Sequence, residues 1–265
     1  MKASETILLT RKQVAELLTL DECMAAVEEA FRLYGSGKAA SPGVLGTHTE
    51  GGGFHVKTSL LDLGRRYYAL KVNANFFNNS ERFGLPNIQG LIMLCDGVNG
   101  YPLAVMDSIE ITILRTGAAT AVAARYLARR DSETVTICGC GNQGRVQLAA
   151  IAKVLPIKRV FAFDLDAKRA QQFSREMSEV LGMEVSVVQE TGAGVRHSDA
   201  CITCTPSRLS CVSRTSTLRS GHCLRSAYIL TVMEVQVPSA ASRNSCGEGP
   251  PSAPPTSTGS SPISR

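Results

Sequence analysis

The chain has 265 residues, of which 44% are hydrophobic, and it contains 28 lysines and arginines, 23 aspartates and glutamates and no tryptophan. This length is enough for one large domain or two modest domains with a hydrophobic core. The net charge of +5 is unevenly distributed, because residues 1–206 carry 22 basic and 21 acidic side chains, whereas residues 207–265 carry six arginines, two glutamates and no lysine or aspartate. The positive charge therefore reflects the C-terminal segment, and we predict no nucleic-acid partner.

The sequence carries no signal for a membrane or a metal. No apolar run approaches the roughly 18 residues needed to cross a bilayer, and the start, MKASETILLTRKQ, lacks the apolar core of a signal peptide. We therefore expect a cytoplasmic protein without a membrane partner. Cys201 and Cys204 form a single C-x-x-C pair with no second ligand pair at a spacing that suits zinc, so no metal site is predicted.

Residues 1–107 are predicted to form an α+β domain. Thr10 is suited to cap a short helix, and residues 20–34 have apolar side chains at helical spacing. Four strand-like runs follow, and Asn99-Gly100 between the last two is a strong hairpin signal. We therefore expect a mainly antiparallel sheet. The predicted strands are residues 54–61, 67–75, 90–95 and 101–106.

A long helix is predicted at residues 108–130, between this domain and a second one. Asp107 and Glu110 have the spacing of a capping box, and the middle of the helix is rich in glycine and alanine, which favours close packing. Strands and helices then alternate through residues 131–208, which predicts a parallel sheet covered on both faces. The predicted strands are 134–138, 159–164, 185–188 and 200–205, and the helices are 144–154 and 167–181.

A glycine-rich turn directly follows the first strand of this second domain. The run Gly139-Cys140-Gly141-Asn142-Gln143-Gly144 matches G-x-G-x-x-G, and Asp164 closes the next strand 20 residues after Gly144. In a dinucleotide-binding fold, Gly139 permits the tight turn, Gly141 lets the backbone approach the pyrophosphate, and Gly144 lets helix and strand pack closely. The N-terminus of the following helix supplies N–H donors for that anion.

The identity of the cofactor depends on Asp164. This carboxylate is placed to bind the hydroxyl groups of the adenosine ribose, and its charge repels a 2′-phosphate. We therefore predict NAD, with NADP less favoured. Lys168 and Arg169 lie close enough to weaken the preference, unless they are solvated residues in the first turn of a helix. The alternative for the whole motif is a glycine turn that binds no nucleotide.

Four segments carry a resemblance to a known family: GLPNIQGLIMLCD (84–96), NGYPLAVMD (99–107), ILRTGAATAVAARYLA (113–128) and CGCGNQGR (138–145). Over about residues 5–206 the chain resembles the ornithine cyclodeaminase/mu-crystallin family. The resemblance implies a Rossmann-type doubly wound parallel sheet, truncated here, beside an N-terminal α+β substrate and dimerisation domain. The family includes ornithine cyclodeaminases, alanine dehydrogenases, cyclic-imine reductases and crystallins without enzymatic activity.

The resemblance also assigns roles to particular residues. It implies that Lys71 contacts the substrate and that Arg115 binds the substrate carboxylate, a role that suits a bidentate guanidinium. From the residues alone, a strand lysine that reaches solvent is the favoured interpretation of Lys71. For Arg115 the alternative is a surface arginine of a helix, but the apolar Ile113 and Leu114 and the small residues that follow favour burial. The resemblance further implies a homodimer and these cofactor contacts after the glycines: Asn142, Gln143, Asp164 and Thr205.

The sequence departs from the family pattern at two places. Where the family carries an arginine after a proline, the chain reads Ser41-Pro42-Gly43-Val44, so Lys57 or His48 replaces that arginine or the substrate differs from ornithine. Residues 209–265 do not resemble the family, contain no aspartate for its proton-transfer role and are rich in serine, proline and arginine, which predicts a disordered tail. This segment is interpreted as the product of a shifted reading frame or as a divergent tail.

Three functions remain open from the sequence. The first is an NAD-dependent enzyme that converts a small amino acid or cyclic imine by hydride transfer at the α-carbon, through deamination, cyclodeamination or imine reduction. The second is a binding protein for a dinucleotide or small ligand without turnover. The third is an inactive, truncated family member that lacks the catalytic aspartate.

Overall fold

The computed structural model describes residues 5–205 and 228–231. The predicted disordered tail and the proposed frame shift therefore lie outside the described residues, apart from one short strand. The elements in chain order are β1 (Ile7–Leu9), α1 (Arg11–Leu17), α2 (Leu20–Gly35), β2 (Gly43–Thr49), β3 (Gly52–Asp62), β4 (Arg66–Phe76), α3 (Asn79–Phe83), β5 (Ile88–Asp96), β6 (Pro102–Asp107), α4 (Ile109–Leu127), β7 (Thr134–Cys138), α5 (Asn142–Ala152), β8 (Arg159–Phe163), α6 (Ala167–Leu181), β9 (Glu184–Val187), α7 (Thr191–Val195), β10 (Ala200–Thr203) and β11 (Tyr228–Thr231).

The first sheet has the strand order β1-β6-β5-β4-β3-β2. Strands β2 to β6 pair antiparallel as predicted, and β1 adds to β6 in parallel. The sequence did not predict β1, which has only three residues, or β2, whose side chains are all exposed at the sheet edge. The predicted hairpin turn is confirmed, since Gly100 has a φ of 77° between β5 and β6.

The two N-terminal helices begin where side chains can satisfy their first N–H groups. Thr10 and Gln13 form a capping box at α1, and Thr19 and Glu22 form another at α2. The capping box predicted for α4 is not formed. Its N-cap is Ser108, whose hydroxyl donates instead to Asn73 in β4 at 3.0 Å.

The second sheet has the order β11-β10-β7-β8-β9, and all of its neighbouring strands are parallel. Ile137 in β7 belongs to a buried cluster with Leu148 of α5 and Phe173 of α6, so these helices cover one face. Helix α7 covers the other face, where a Cβ on Gly194 would lie 2.8 Å from Thr136. The predicted doubly wound parallel sheet is therefore confirmed.

Helix α4 packs between these two parts of the chain. A Cβ on Gly117 would lie 3.0 Å from Val146 of α5, tighter than an ordinary contact, so glycine favours this approach. On the side that faces α2, Ala118 and Ala121 form a second buried cluster with Cys23. The small residues in the middle of α4 therefore allow it to contact α5 and α2 closely.

We expect Phe173→Ala to lower the free energy of unfolding by about 3–5 kcal/mol, because the ring is fully buried and its removal leaves a cavity. Chemical denaturation followed by circular dichroism measures this change. The control is Val180→Ala on the same helix, where the side chain is 73% exposed and the expected change is below about 0.5 kcal/mol. Equal effects of the two substitutions would contradict the described packing of α6.

Candidate functional site

The glycine turn lies at the carboxyl end of β7, where the chain enters α5. Gly139 has a φ of 100°, and a Cβ there would lie 2.9 Å from the carbonyl group of Cys204, which follows β10. A Cβ on Gly144 would lie 2.3 Å from the carbonyl oxygen of Gly139. Both positions therefore require glycine for protein packing, as the sequence motif predicted.

Gly141 differs from these two glycines. It is the N-cap of α5 with a φ of −84°, and a Cβ at this position would meet no protein atom within 4 Å. No side chain caps the N-terminus of α5, so the first N–H groups of the helix have no side-chain partner among the described residues. The arrangement fits a dinucleotide, because the pyrophosphate can occupy this space against the helix N-terminus. Asn142 and Gln143 are the first two residues of α5.

Asp164 lies beside the turn, immediately after β8. One of its carboxylate oxygens accepts the N–H of Cys140 at 2.8 Å, and the other accepts the N–H of Asp166 at 3.0 Å. The guanidinium of Arg169 is 3.8 Å from the same carboxylate. The structure thus places Asp164, the predicted ribose-binding residue, next to the glycine turn, with Arg169 beside its carboxylate.

Arg145 supports the turn and was not singled out from the sequence. Its guanidinium donates to the carbonyl oxygen of Cys140 at 2.7 Å and pairs with Glu176 of α6 at 2.6 Å. The hydrogen bond from Arg145 lowers the pKa of Glu176. This contact joins the turn to α6. The only sign of this contact in the sequence was that an arginine directly follows the last glycine of the motif.

The last described residues of β10 complete the edge of the site. The N–H of Cys204 donates to the carbonyl oxygen of Cys138 at 2.7 Å, which places Thr205 beside the glycine turn. Strand order reverses here, since β7 lies between β8 and β10. In open α/β sheets, the crevice at such a reversal is where ligands bind.

A polar chain also links α4 to the turn. The hydroxyl of Thr120 donates to Gln147 at 2.8 Å, and the amide of Gln147 donates to the side chain of Gln143 at 3.3 Å. Thr120 and Gln147 are both buried. The orientation of Gln143 in the turn therefore depends on a buried contact with the connecting helix.

The cysteines near the turn are not activated nucleophiles. Burial raises the pKa of Cys140 and of Cys204 to about 12, and a hydrogen bond with Cys201 together with burial raises the pKa of Cys138. These thiols stay protonated at neutral pH. Within residues 5–205 and 228–231, no group of three histidine, cysteine or acidic side chains is arranged to hold a metal ion.

Lys71 lies in β4, on the face of the first sheet that contacts α4. Its ammonium group donates to the hydroxyl of Thr112 in the first turns of α4 at 3.4 Å. Arg115 is one turn further along α4 and is half-buried. Burial raises the pKa of Cys23 in α2, and the positive charge of Arg115 partly offsets that rise. Lys71 and Arg115 therefore lie near the same segment of α4.

Lys57 and the two histidines also occupy this sheet face. Lys57 in β3 is directly opposite Lys71 in the antiparallel register, and His55 is opposite Asn73. The rings of His48 and His55 meet edge to face with centroids 6.1 Å apart. Of the two candidates to replace the family arginine, Lys57 is thus the one in register with Lys71.

No helix in the described part of the chain is both long enough and apolar enough to span a membrane.

The glycine turn, the adjacent acid and the parallel sheet define a dinucleotide-binding fold of the Rossmann type. The sequence profile of the ornithine cyclodeaminase/mu-crystallin family matches residues 4–224. The chain belongs to this family, which confirms the predicted family and fold class.

Three relatives illustrate this membership. Alanine dehydrogenase of Archaeoglobus fulgidus is 40% identical over 204 residues, which cover 77% of the chain and 61% of that protein. The structure of an archaeal alanine dehydrogenase dimer with bound NAD matches with a TM-score of 0.71 and 40% identity, over 76% of the chain and 61% of that structure. The structure of Thermococcus litoralis Δ1-pyrroline-2-carboxylate reductase with NADH and L-proline matches with a TM-score of 0.71 and 35% identity. This match covers 77% of the chain and 63% of that structure. The chain thus spans less than two thirds of the length of each of these relatives.

We expect Gly141→Ala to weaken NADH binding at least about tenfold while the apo protein keeps its melting temperature, because the new methyl group meets no protein atom but enters the space before α5. Fluorescence titration with NADH and a thermal melt measure the two effects. Gly35→Ala is the control, since a Cβ there also meets nothing within 4 Å and lies in α2. Unchanged NADH affinity in Gly141→Ala would show that the pyrophosphate does not lie at this position.

Proposed function

We propose that the chain binds NAD and acts on a small amino acid or cyclic imino acid by hydride transfer at the α-carbon. The observation that carries the proposal is the open space at Gly141, which combines an uncapped helix N-terminus with the carboxylate of Asp164 at the adjacent strand end. The family membership and the NAD and NADH complexes of its relatives support the same cofactor class.

The cofactor contacts follow from the geometry around the turn. Backbone N–H groups at Gly141 to Gln143 hold the pyrophosphate, and Asp164 accepts hydrogen bonds from the ribose hydroxyls. Thr205 contacts the cofactor from the end of β10. A bound nicotinamide supplies the two-electron acceptor or donor for the substrate α-carbon.

The substrate contacts are assigned to the cationic side chains near α4. Arg115 binds the α-carboxylate, a role that suits its planar guanidinium on a well-packed helix. Lys71 binds the substrate beside it and is held by Thr112 at 3.4 Å. Oxidation of an amino acid in this position produces an imine, which is then hydrolysed or cyclised, and the reverse direction reduces a cyclic imine.

The preference for NAD over NADP rests on the charge of Asp164. A 2′-phosphate at the ribose would meet this carboxylate, and Arg169, 3.8 Å away, offsets only part of the repulsion while it is paired with Asp164 and lies 4.0 Å from Asp166. NADP is therefore the weaker ligand.

A homodimer is proposed through the apolar face of the first sheet, opposite the face of Lys71. One cross-strand row on this face has four adjacent aliphatic side chains, Leu45, Val56, Val72 and Leu91, and ends at Asp107 of β6. Leu45 is 65% exposed and Leu91 is 54% exposed, so the chain alone leaves both ends of this aliphatic run in contact with water. The dimer of the archaeal relative supports a second copy as the partner.

We propose a cytoplasmic location because the described cysteines form no disulfide bonds. The six cysteines among the described residues are free, as expected in a reducing compartment, and five of them are buried.

The proposed function is tested with Arg115→Lys. We expect kcat/KM for the amino or imino acid to fall at least about 100-fold, because lysine keeps the charge but loses the bidentate contact, while the NADH Kd stays within about twofold. Absorbance at 340 nm follows turnover of alanine, proline and Δ1-pyrroline-2-carboxylate. Ammonia release follows turnover of ornithine, because cyclodeamination returns the hydride to the cyclic imine and leaves the amount of NADH unchanged. The control is Arg125→Lys on the same helix, where the arginine pairs with Glu28.

The outcomes separate the candidate functions. If neither NADH binding nor turnover is observed with the unmodified chain, the proposal fails. If NADH binds but none of the four compounds reacts, the result favours a non-catalytic dinucleotide-binding protein.

We expect Asp164→Asn to lower the ratio of the NADPH Kd to the NADH Kd at least about tenfold, because the substitution removes the charge that repels the 2′-phosphate and leaves Arg169 to attract it. Fluorescence titration with both cofactors gives the ratio. Asp166→Asn is the matched control, since it changes the net charge equally two residues away and asparagine is also a good N-cap for α6. An unchanged ratio in Asp164→Asn would place the ribose elsewhere.

A further inference from the structure

The first two N–H groups of the glycine turn are used inside the protein. The N–H of Gly139 donates to the carbonyl oxygen of Phe163 at 2.8 Å, and the N–H of Cys140 donates to Asp164 at 2.8 Å. The next N–H along the chain, that of Gly141, donates to no described residue. Gly141 is therefore the first residue of the turn whose N–H can bind a ligand.

The direction of this N–H depends on the peptide bond between Cys140 and Gly141. The described part of the chain has no cis peptide bond, and in a planar trans peptide the C=O and the following N–H point in opposite directions. The carbonyl oxygen of Cys140 accepts a hydrogen bond from Nη1 of Arg145 at 2.7 Å. The N–H of Gly141 therefore points away from the guanidinium of Arg145.

Arg145 is itself held in one orientation by α6. Its Nε and Nη2 atoms donate to the same carboxylate oxygen of Glu176 at 2.9 and 2.6 Å, and its guanidinium lies 5.7 Å from the ring centroid of the buried Phe173. The planar guanidinium thus donates to Glu176 along one edge and to Cys140 from the remaining nitrogen. A lysine ammonium group has no such fixed fork of donors.

The orientation of this peptide matters to an anion at the turn. Rotation of the peptide by half a turn would exchange the N–H of Gly141 for the carbonyl oxygen of Cys140, so that an anion would meet an acceptor in place of a donor. Glycine resists such a rotation less than any other residue, because it populates positive and negative φ about equally. Among the described residues, the contact with Arg145 is the interaction that holds this carbonyl group in place.

We infer that Arg145 is a positioning residue for the cofactor: it fixes the Cys140–Gly141 peptide so that the N–H of Gly141 faces the pyrophosphate, and it does not contact the cofactor itself. The inference rests on the proposed function, because it requires a dinucleotide at this turn. Asp164 holds the preceding peptide in the same manner, since it accepts the N–H of Cys140.

ADP and adenosine separate the contribution of the phosphates from that of the rest of the adenosine site. Both compounds carry the ribose that Asp164 is proposed to bind, but only ADP carries phosphate groups. Displacement of NADH from the full chain, followed by fluorescence, gives the ratio of the adenosine Kd to the ADP Kd. We expect this ratio to be at least about ten in the unmodified chain, because N–H donors at the start of α5 bind the phosphates.

Arg145→Lys keeps the positive charge and loses the fork of donors. We expect the ratio to fall at least about fivefold while the adenosine Kd changes less than about twofold, because the ammonium group pairs with Glu176 and leaves the carbonyl group of Cys140 without its donor. Arg145→Met should lower the ratio at least as far. The control is Arg175→Lys, since Arg175 is exposed on α6. An unchanged ratio in Arg145→Lys would overturn the inference, because charge alone would then be sufficient.

Glu176→Gln separates positioning from two other roles of Arg145, and it keeps the test decisive if substitution of Arg145 prevents folding. We expect the ratio to change less than about twofold, because the guanidinium still donates to the carbonyl oxygen of Cys140. A rise of at least about threefold would show that the charge of Arg145 acts directly on the phosphates once its counter-ion is removed. A fall of at least about fivefold would show that only the link to α6 matters. Either result would overturn the inference.

Failure of the proposed function has a separate signature. If the unmodified chain binds neither ADP nor NADH, the proposed function itself fails, whatever the variants of Arg145 do. If the unmodified chain binds both, and the ratio is the same in Arg145→Lys and Arg145→Met as in the unmodified chain, only the positioning role of Arg145 is refuted. A thermal melt of each variant checks that the protein is folded.

Discussion

Helix α4 packs closely against α5 at Gly117, and this contact joins the two sides of the proposed site. A Cβ on Gly117 would lie 3.0 Å from Val146, tighter than an ordinary contact, so glycine lets the helices meet without displacing Val146. The first turns of α4 hold Ser108 and Thr112 against the first sheet, and Thr120 reaches the glycine turn through Gln147. One helix thus contacts or carries residues on both sides of the proposed site.

The two halves of the site obtain their chemistry by different physical means. At the proposed cofactor side, backbone groups would act, since no side chain caps the N-terminus of α5 and Asp164 holds the turn through Cys140. At the proposed substrate side, side-chain cations would act, with Lys71 placed by strand β4 and Arg115 by helix α4. The buried amide of Asn73 accepts the hydroxyl of Ser108 at the start of α4, and its nitrogen has no hydrogen-bond partner among the described residues.

Sequence reasoning succeeded where a local rule was sufficient. The strand, the tight glycine turn after it and the position of Asp164 directly after β8 agree with the prediction, because a tight turn and a close helix each require glycine. The helix over residues 167–181 was predicted with its bounds because its apolar face repeats at helical spacing. The prediction of a capping box at Asp107 and Glu110 was wrong because each side chain has another partner. Asp107 accepts the N–H of Ile109, and Glu110 forms an ion pair with Arg11 from a distant part of the chain.

The sequence by itself determined that an antiparallel sheet precedes a parallel sheet, and it determined the glycine motif and the family. Each of these depends on periodicity or on residues that are adjacent in the chain. Only the tertiary structure decided that Lys57 lies opposite Lys71, that Arg145 ties the turn to α6, and that β1 and β2 extend the first sheet. These features depend on strand register and on contacts between distant segments. The register of β3 and β4 depends on the length and geometry of the turn that joins them, which the predicted strand bounds left open.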